Sequence, residues 1–129
     1  MNSQIQDLHA QAMNLAEQAE LAKLRGATAD YQQCLHQALQ LEQQAAQLIA
    51  PDPAAEPTRS VLHRSAATLA IDCGELQTAE KLIITALTGT PPAEIAEELK
   101  DLFMQLNVRR YLERRGVQLA EEQLQLLAY

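Results

Sequence analysis

Three histidines, two cysteines and a short run of arginines are the side chains best suited to chemistry in this sequence, and their spacing decides what they can do. A helical zinc pair needs two histidines about four residues apart, or two closely spaced cysteines, so that the donors share one face. His9, His36 and His63 fall on three separate segments, and Cys34 and Cys73 are far apart in the chain. Neither arrangement is present, so each histidine reads as a surface residue. Four glycines are too few for a phosphate-cradling loop, and no nucleophile elbow or kinase-type motif occurs. The carboxylates of Glu97 and Glu98, and of Glu121 and Glu122, are adjacent rather than facing, so they read as solvated charge. The expectation is a non-catalytic chain with no metal and no cofactor.

The arginines are more informative. Arg109, Arg110, Arg114 and Arg115 surround Tyr111, and arginines beside an aromatic ring can hold phosphate and stack on a base. Residues 1–108 carry six basic and fourteen acidic side chains, whereas residues 109–129 carry four and three. The local charge is thus reversed. A net charge of -7 nevertheless argues against wholesale attraction to nucleic acid or an anionic membrane, and four arginines on an acidic chain would bind weakly and with strong salt dependence. Pairing with the chain's own carboxylates is the favoured role, which leaves these arginines as a secondary basic patch.

The elements that must position these residues are helices. Hydrophobic content is 47%, supplied mainly by Ala and Leu with three Tyr, one Phe and no Trp; strands favour the β-branched and aromatic side chains scarce here. From Ser3, a plausible N-cap, apolar residues recur at Ile5, Leu8, Ala12, Leu15, Ala19 and Ala22, which marks one long helix ending at Gly26. Asp30 caps a second helix with Tyr31, Cys34, Ala38, Leu41, Ala45 and Leu48 facing inward. The short connection makes residues 3–50 an antiparallel hairpin. Eleven of the sixteen glutamines lie in the first fifty residues, giving this hairpin a polar but weakly charged outer face.

Three prolines between Pro51 and Pro57 end the second helix. A second hairpin over residues 58–88 follows, with Leu62, Ala66, Leu69, Ala70 and Cys73 inward on its first helix and Leu76, Ala79, Leu82, Ile83 and Ala86 on its second. A fifth helix covers residues 92–107. Residues 108–129 alternate as a strand would at Val108, Arg110, Leu112 and Arg114 yet are rich in helix formers, so two alternatives stand. Helix five continues to Arg115 with a short helix from Leu119, the favoured one, or two strands run over 108–114 and 123–127. Both cysteines fall on apolar faces and read as buried, reduced thiols. The N-terminus has no basic start followed by a long apolar run, no apolar stretch approaches the length of a membrane span, and the expected compartment is cytoplasmic.

The stretch from Thr58 to Pro91 resembles a tetratricopeptide repeat, a helix-turn-helix unit of about 34 residues. Ala67 matches the small residue at the helix crossing, Gly74 the turn, Leu76 the large residue after it, Ala79 and Ala86 the close-contact alanines, and Pro91 the closing proline. His63 and Ala66 stand where that family carries a bulky aromatic and a large aliphatic side chain. The resemblance implies a single all-α domain of five or six helices, stacked as antiparallel hairpins in a short solenoid or bundle. It further implies an adaptor that binds another protein or a peptide in the groove faced by helices three and five. The outward residues Arg59, His63, Arg64, Thr68 and Asp72, joined by Lys100, are its expected contacts, because a guanidinium offers a planar fork to a carboxylate. Glu56 and Asp72 are competing partners for those arginines within the fold. A homodimer or assembly subunit built on the long hairpin is the alternative, since its helices should overhang the shorter pair by about 10 Å at ~1.5 Å rise per residue.

Overall fold

A computed structural model describes residues 2–116 of the chain. Five helices follow one another: α1 (Ser3–Leu24), α2 (Thr28–Ile49), α3 (Thr58–Asp72), α4 (Leu76–Leu87) and α5 (Ala93–Arg114). No strand occurs among the described residues, so the protein is all-α. Of the two alternatives for the tail, 108–114 is helix, and α5 runs through it to a cap at Arg115. The strand at 123–127 and the helix from Leu119 lie outside the described residues.

Two turns of the same construction close the hairpins. After α1, Gly26 sits at φ 75°, its N–H donates to Lys23 O, and the N–H of Ala27 reaches Ala22 O at 2.9 Å. After α3, Gly74 sits at φ 76°, its N–H donates to Ile71 O, and Glu75 N–H reaches Ala70 O at 2.8 Å. These paired bonds satisfy carbonyls that a helix end would leave open, and they require the left-handed backbone that glycine adopts without a Cβ clash. The start of α1 differs from expectation by one residue: Asn2 is the cap, its Oδ1 accepting from Ile5 N–H at 2.8 Å. Helix α2 likewise starts at Thr28, which places Asp30 in its first turn, where a negative charge still favours the positive helix end.

The helices pack as α1 on α2, α2 on α3, α3 on α4, and α5 against both α3 and α4. One apolar cluster runs through all five, from Ile5 through Leu39, Leu62 and Ile83 to Leu106. Ala67, Ala79 and Ala86 are fully buried, so α3 and α4 meet across small side chains, as expected. Helix α3 touches three neighbours, and that is why nine of its fifteen residues are buried. Helix α2 lies between α1 and α3, so its buried stripe is broader than one face and shifted by a residue: Leu35, Leu39, Ala46 and Ile49 are buried alongside Ala38 and Ala45. The expected inward Leu48 is exposed.

The ends of the helices are tied to each other at Arg59. Its Nε donates to Ala50 O at 3.0 Å and its Nη1 to Thr85 O at 3.3 Å, so the start of α3 lies beside the ends of both α2 and α4. Burial on α2 begins only at Leu35, and nothing from Thr28 to Cys34 is buried. The tip of the α1/α2 hairpin therefore projects past the third helix, as the difference between 22 and 15 residues requires. No helix among the described residues is long and apolar enough to cross a membrane.

Candidate functional site

Of the six side chains expected to face a partner, two are internal, and this corrects the sequence expectation. Arg59 is only 6% exposed and His63 2%, because the face of α3 that carries them is the one enclosed by its neighbours. The partner of Arg59 is neither Glu56 nor Asp72 but the two helix-end carbonyls, whose partial negative charge suits a guanidinium. Glu56 Oε1 instead accepts from Ser60 Oγ at 2.9 Å. The ring of His63 donates from Nδ1 to Arg59 O at 2.7 Å; a carbonyl can only accept, so the tautomer carries its proton on Nδ1.

Burial lowers the pKa of His63 below its ordinary 6.5. The nearby Arg59 guanidinium acts in the same direction, against the opposing pull of the Arg59 carbonyl and of Glu56. A base whose folded pKa is depressed is bound neutral, while the unfolded chain takes up the proton near 6.5. Its contribution to stability is therefore complete above pH 6.5 and lost as pH falls from there through the folded value. Urea midpoints measured from pH 7.5 to pH 5 should fall on acidification, and His63→Gln should show a shallower fall; equal slopes would remove His63 from the pH response.

The other four expected contacts are exposed or half-buried. Arg64 crosses the α3/α5 seam and donates to Glu98, with both side chains partly open to water at 30% and 54%. Thr68 is exposed and donates to Arg64 O at 3.0 Å, and Asp72 is exposed at the end of the same face. Lys100 is exposed on α5, 3.5 Å from Glu97. Arg59 bonds Thr85 O, so the end of α4 lies at the start of α3. Helix α5 begins at Ala93, shortly after Leu87, so α3 and α5 start at the same end and the Arg64–Glu98 pair joins them across the seam.

The basic patch is divided in two. Arg110 turns toward the core and donates to Glu80 at 2.7 Å, which is the pairing with the chain's own carboxylates that the charge balance favoured. Arg114 and Arg115 instead lie over the ring of Tyr111, at 6.0 Å and 5.4 Å from its centre. An open hollow of about 780 Å³ borders Asn107, Arg110, Tyr111 and Arg114.

Of the other two histidines, one keeps the surface role and one departs from it. His36 is exposed, with Nδ1 donating to Gln32 O at 2.9 Å, but His9 is half-buried and its Nδ1 lies 2.9 Å from each oxygen of Glu42. Glu42 is fully buried. Sequence reading missed it, although the 4-3-4-3 spacing of Leu35, Leu39, Glu42, Ala46 and Ile49 places it within the apolar stripe of α2.

Both thiols are free and half-buried rather than buried. Burial, aided by Asp72 and Glu75, pushes Cys73 up to about 11. Only the thiolate reacts, so a rise of about two units from the ordinary 9.0 leaves about a hundredfold less of it at neutral pH. In native protein at pH 7.5, iodoacetamide should modify Cys73 at least about tenfold more slowly than after denaturation. Equal rates, read by mass spectrometry of the Cys73 peptide, would mean that its surroundings do not hold the proton.

Among the described residues no group of three or more His, Cys, Asp or Glu is placed to hold a metal ion. No protein-family model, no curated protein and no solved structure matches the chain.

Proposed function

We propose that this chain is a non-catalytic protein-interaction module, a short tetratricopeptide-like repeat of the cytoplasm, that takes a peptide or helix along the face shared by α3 and α5. The observation that carries the proposal is the Arg64–Glu98 pair, placed between two helices that start at the same end and still open to solvent. An incoming carboxylate can replace Glu98 on the guanidinium without disturbing the core, because a pair this exposed contributes under about 1 kcal/mol to folding. Thr68 and Asp72 extend the polar strip along α3, whereas Lys100, about 160° around the axis of α5 from Glu98, lies on the far side of that helix and is no part of the strip. Arg59 and His63 serve this face only by holding α3 in place.

Affinity capture from the native host with wild type and Arg64→Glu is the test. The charge reversal should remove at least one captured protein while the urea midpoint moves little. Identical captures would end the proposal.

A second reading has its own observation. At the hairpin tip Leu21 is 49% and Leu24 83% exposed, beside a cavity of about 240 Å³ lined by Gln18, Leu21, Arg25 and Cys34. A structural subunit docking through this tip would lose assembly on Leu21→Gln with Leu24→Gln and keep it on Arg64→Glu.

A further inference from the structure

Helix α5 is the last described helix, and its two faces differ in kind. The inward face carries Leu99 and Leu106, both fully buried, with Ile95, Leu102 and Phe103 packed around them. Half a turn away lies a second stripe at intervals of four and three: Glu97, Asp101, Met104, Val108, Tyr111 and Arg115. At about 100° per residue these six positions fall within a narrow band opposite the buried face. Met104 is 64% and Tyr111 49% exposed, and Val108 is only partly covered. A spacing of 3.5 with apolar residues at its centre is what a partner helix packs against.

The order of chemistry along this stripe identifies that partner. Acid stands at the N-terminal end (Glu97, Asp101), apolar side chains in the middle (Met104, Val108), and an aromatic with its guanidinium at the C-terminal end (Tyr111, Arg115). Turned end for end, the stripe is its own complement. We propose that two copies of the chain associate through α5, antiparallel about a twofold axis that passes between Met104 and Val108. In that register Glu97 faces Arg115 of the second copy, Asp101 faces the hydroxyl of Tyr111 in the second copy, and Met104 packs on Val108 of the second copy. Each contact occurs twice, as an isologous interface demands.

A parallel arrangement sets acid on acid and base on base, so the charges select direction as well as partner. Antiparallel helix dipoles favour the same choice. The seam spans about 27 Å, the rise of the residues between Glu97 and Arg115 at ~1.5 Å each. Glu97 is available for it, because its contact with Lys100 is 3.5 Å long between two well-exposed side chains. Arg115 is already positioned by its place over the Tyr111 ring. Arg64 and Glu98 take no part, so this association stands apart from the peptide-binding proposal. A seam of two helices with few apolar contacts is small, which places the association in the micromolar range and makes its charged ends sensitive to salt.

Sedimentation equilibrium of the full chain, from ~10 µM to about 1 mM at low and high salt, tests the proposal. The expected result is a monomer–dimer equilibrium that weakens with salt. Glu97→Arg or Arg115→Glu alone should raise the dissociation constant about tenfold, since each introduces two like-charge contacts per dimer. The two substitutions combined should return it to within about threefold of wild type, and Met104→Arg should leave only monomer. All these side chains are exposed, so circular dichroism should report an unchanged helical monomer in each variant. The proposal is overturned if wild type is monomeric throughout, or if the double reversal associates no better than the single ones. It is equally overturned if Leu21→Gln with Leu24→Gln disperses the dimer while Met104→Arg does not, because the contact then belongs to the hairpin tip.

Discussion

Arg59→Ala should unfold at a markedly lower urea concentration than wild type, with a loss of about 3 to 5 kcal/mol. The guanidinium is nearly out of reach of water and bonds two backbone carbonyls from different helices, Ala50 O and Thr85 O. Removing it leaves two acceptors at helix ends without their charged donor and a void where three helices meet. Arg59→Lys should recover only part of the loss, because a single ammonium on a flexible stem does not reproduce a planar fork aimed at two acceptors. Gly89 supplies an independent check. A Cβ at that position would stand 2.5 Å from Arg59 Nη1, so Gly89→Ala must displace the guanidinium and should cost a fraction of what Arg59→Ala costs. An Arg59→Ala midpoint equal to wild type would show that the side chain fastens nothing.

The second large effect belongs to His9 and Glu42. His9→Ala should cost about 3 to 5 kcal/mol, although His9 is itself half-exposed, because it strands a fully buried carboxylate. Both Glu42 oxygens rely on the same ring nitrogen, and the lost partner is therefore felt at α2 rather than at α1. Replacing the two together, His9→Leu with Glu42→Leu, should restore most of the stability or exceed wild type, since apolar residues of similar volume often match a buried polar pair. A thermodynamic cycle over the four proteins should yield a coupling well above the few tenths of a kcal/mol seen for independent sites. Simple additivity would mean that water or another group already serves Glu42.

Arg59 and His63 show how much of the candidate site was legible beforehand. Outward placement of Arg59 and His63 followed from counting them as polar, yet Arg59, His63, Ala66, Ala70 and Cys73 repeat at 4-3-4-3. That is the spacing of a buried face. A polar side chain on such a face can be recognised from sequence as an anomaly, but not as a buried residue, since burial depends on whether backbone carbonyls from other helices arrive to satisfy it. Arg64 differs from Arg59 by a little over one turn and about 140° around the helix axis. That rotation carries it out of the enclosed face to the α3/α5 edge, where Glu98 meets it.

Local physical chemistry, written in the sequence, determined the helices, their stops and their pairing. Ala and Leu at helical spacing, glycine at Gly26 and Gly74, and the proline-rich link from Pro51 to Pro57 act within a few residues, so no distant contact is needed to read them. Tertiary structure alone decided which face of each helix is inside, because that depends on the number of neighbours. Among the described residues, α3 has three neighbours and buries an arginine and a histidine, α2 has two and buries a glutamate, and α5 keeps Met104 and Tyr111 exposed on a face whose charges are ordered from acid to base. Packing compares surfaces brought together from opposite ends of the chain, and no window of sequence contains both sides of that comparison.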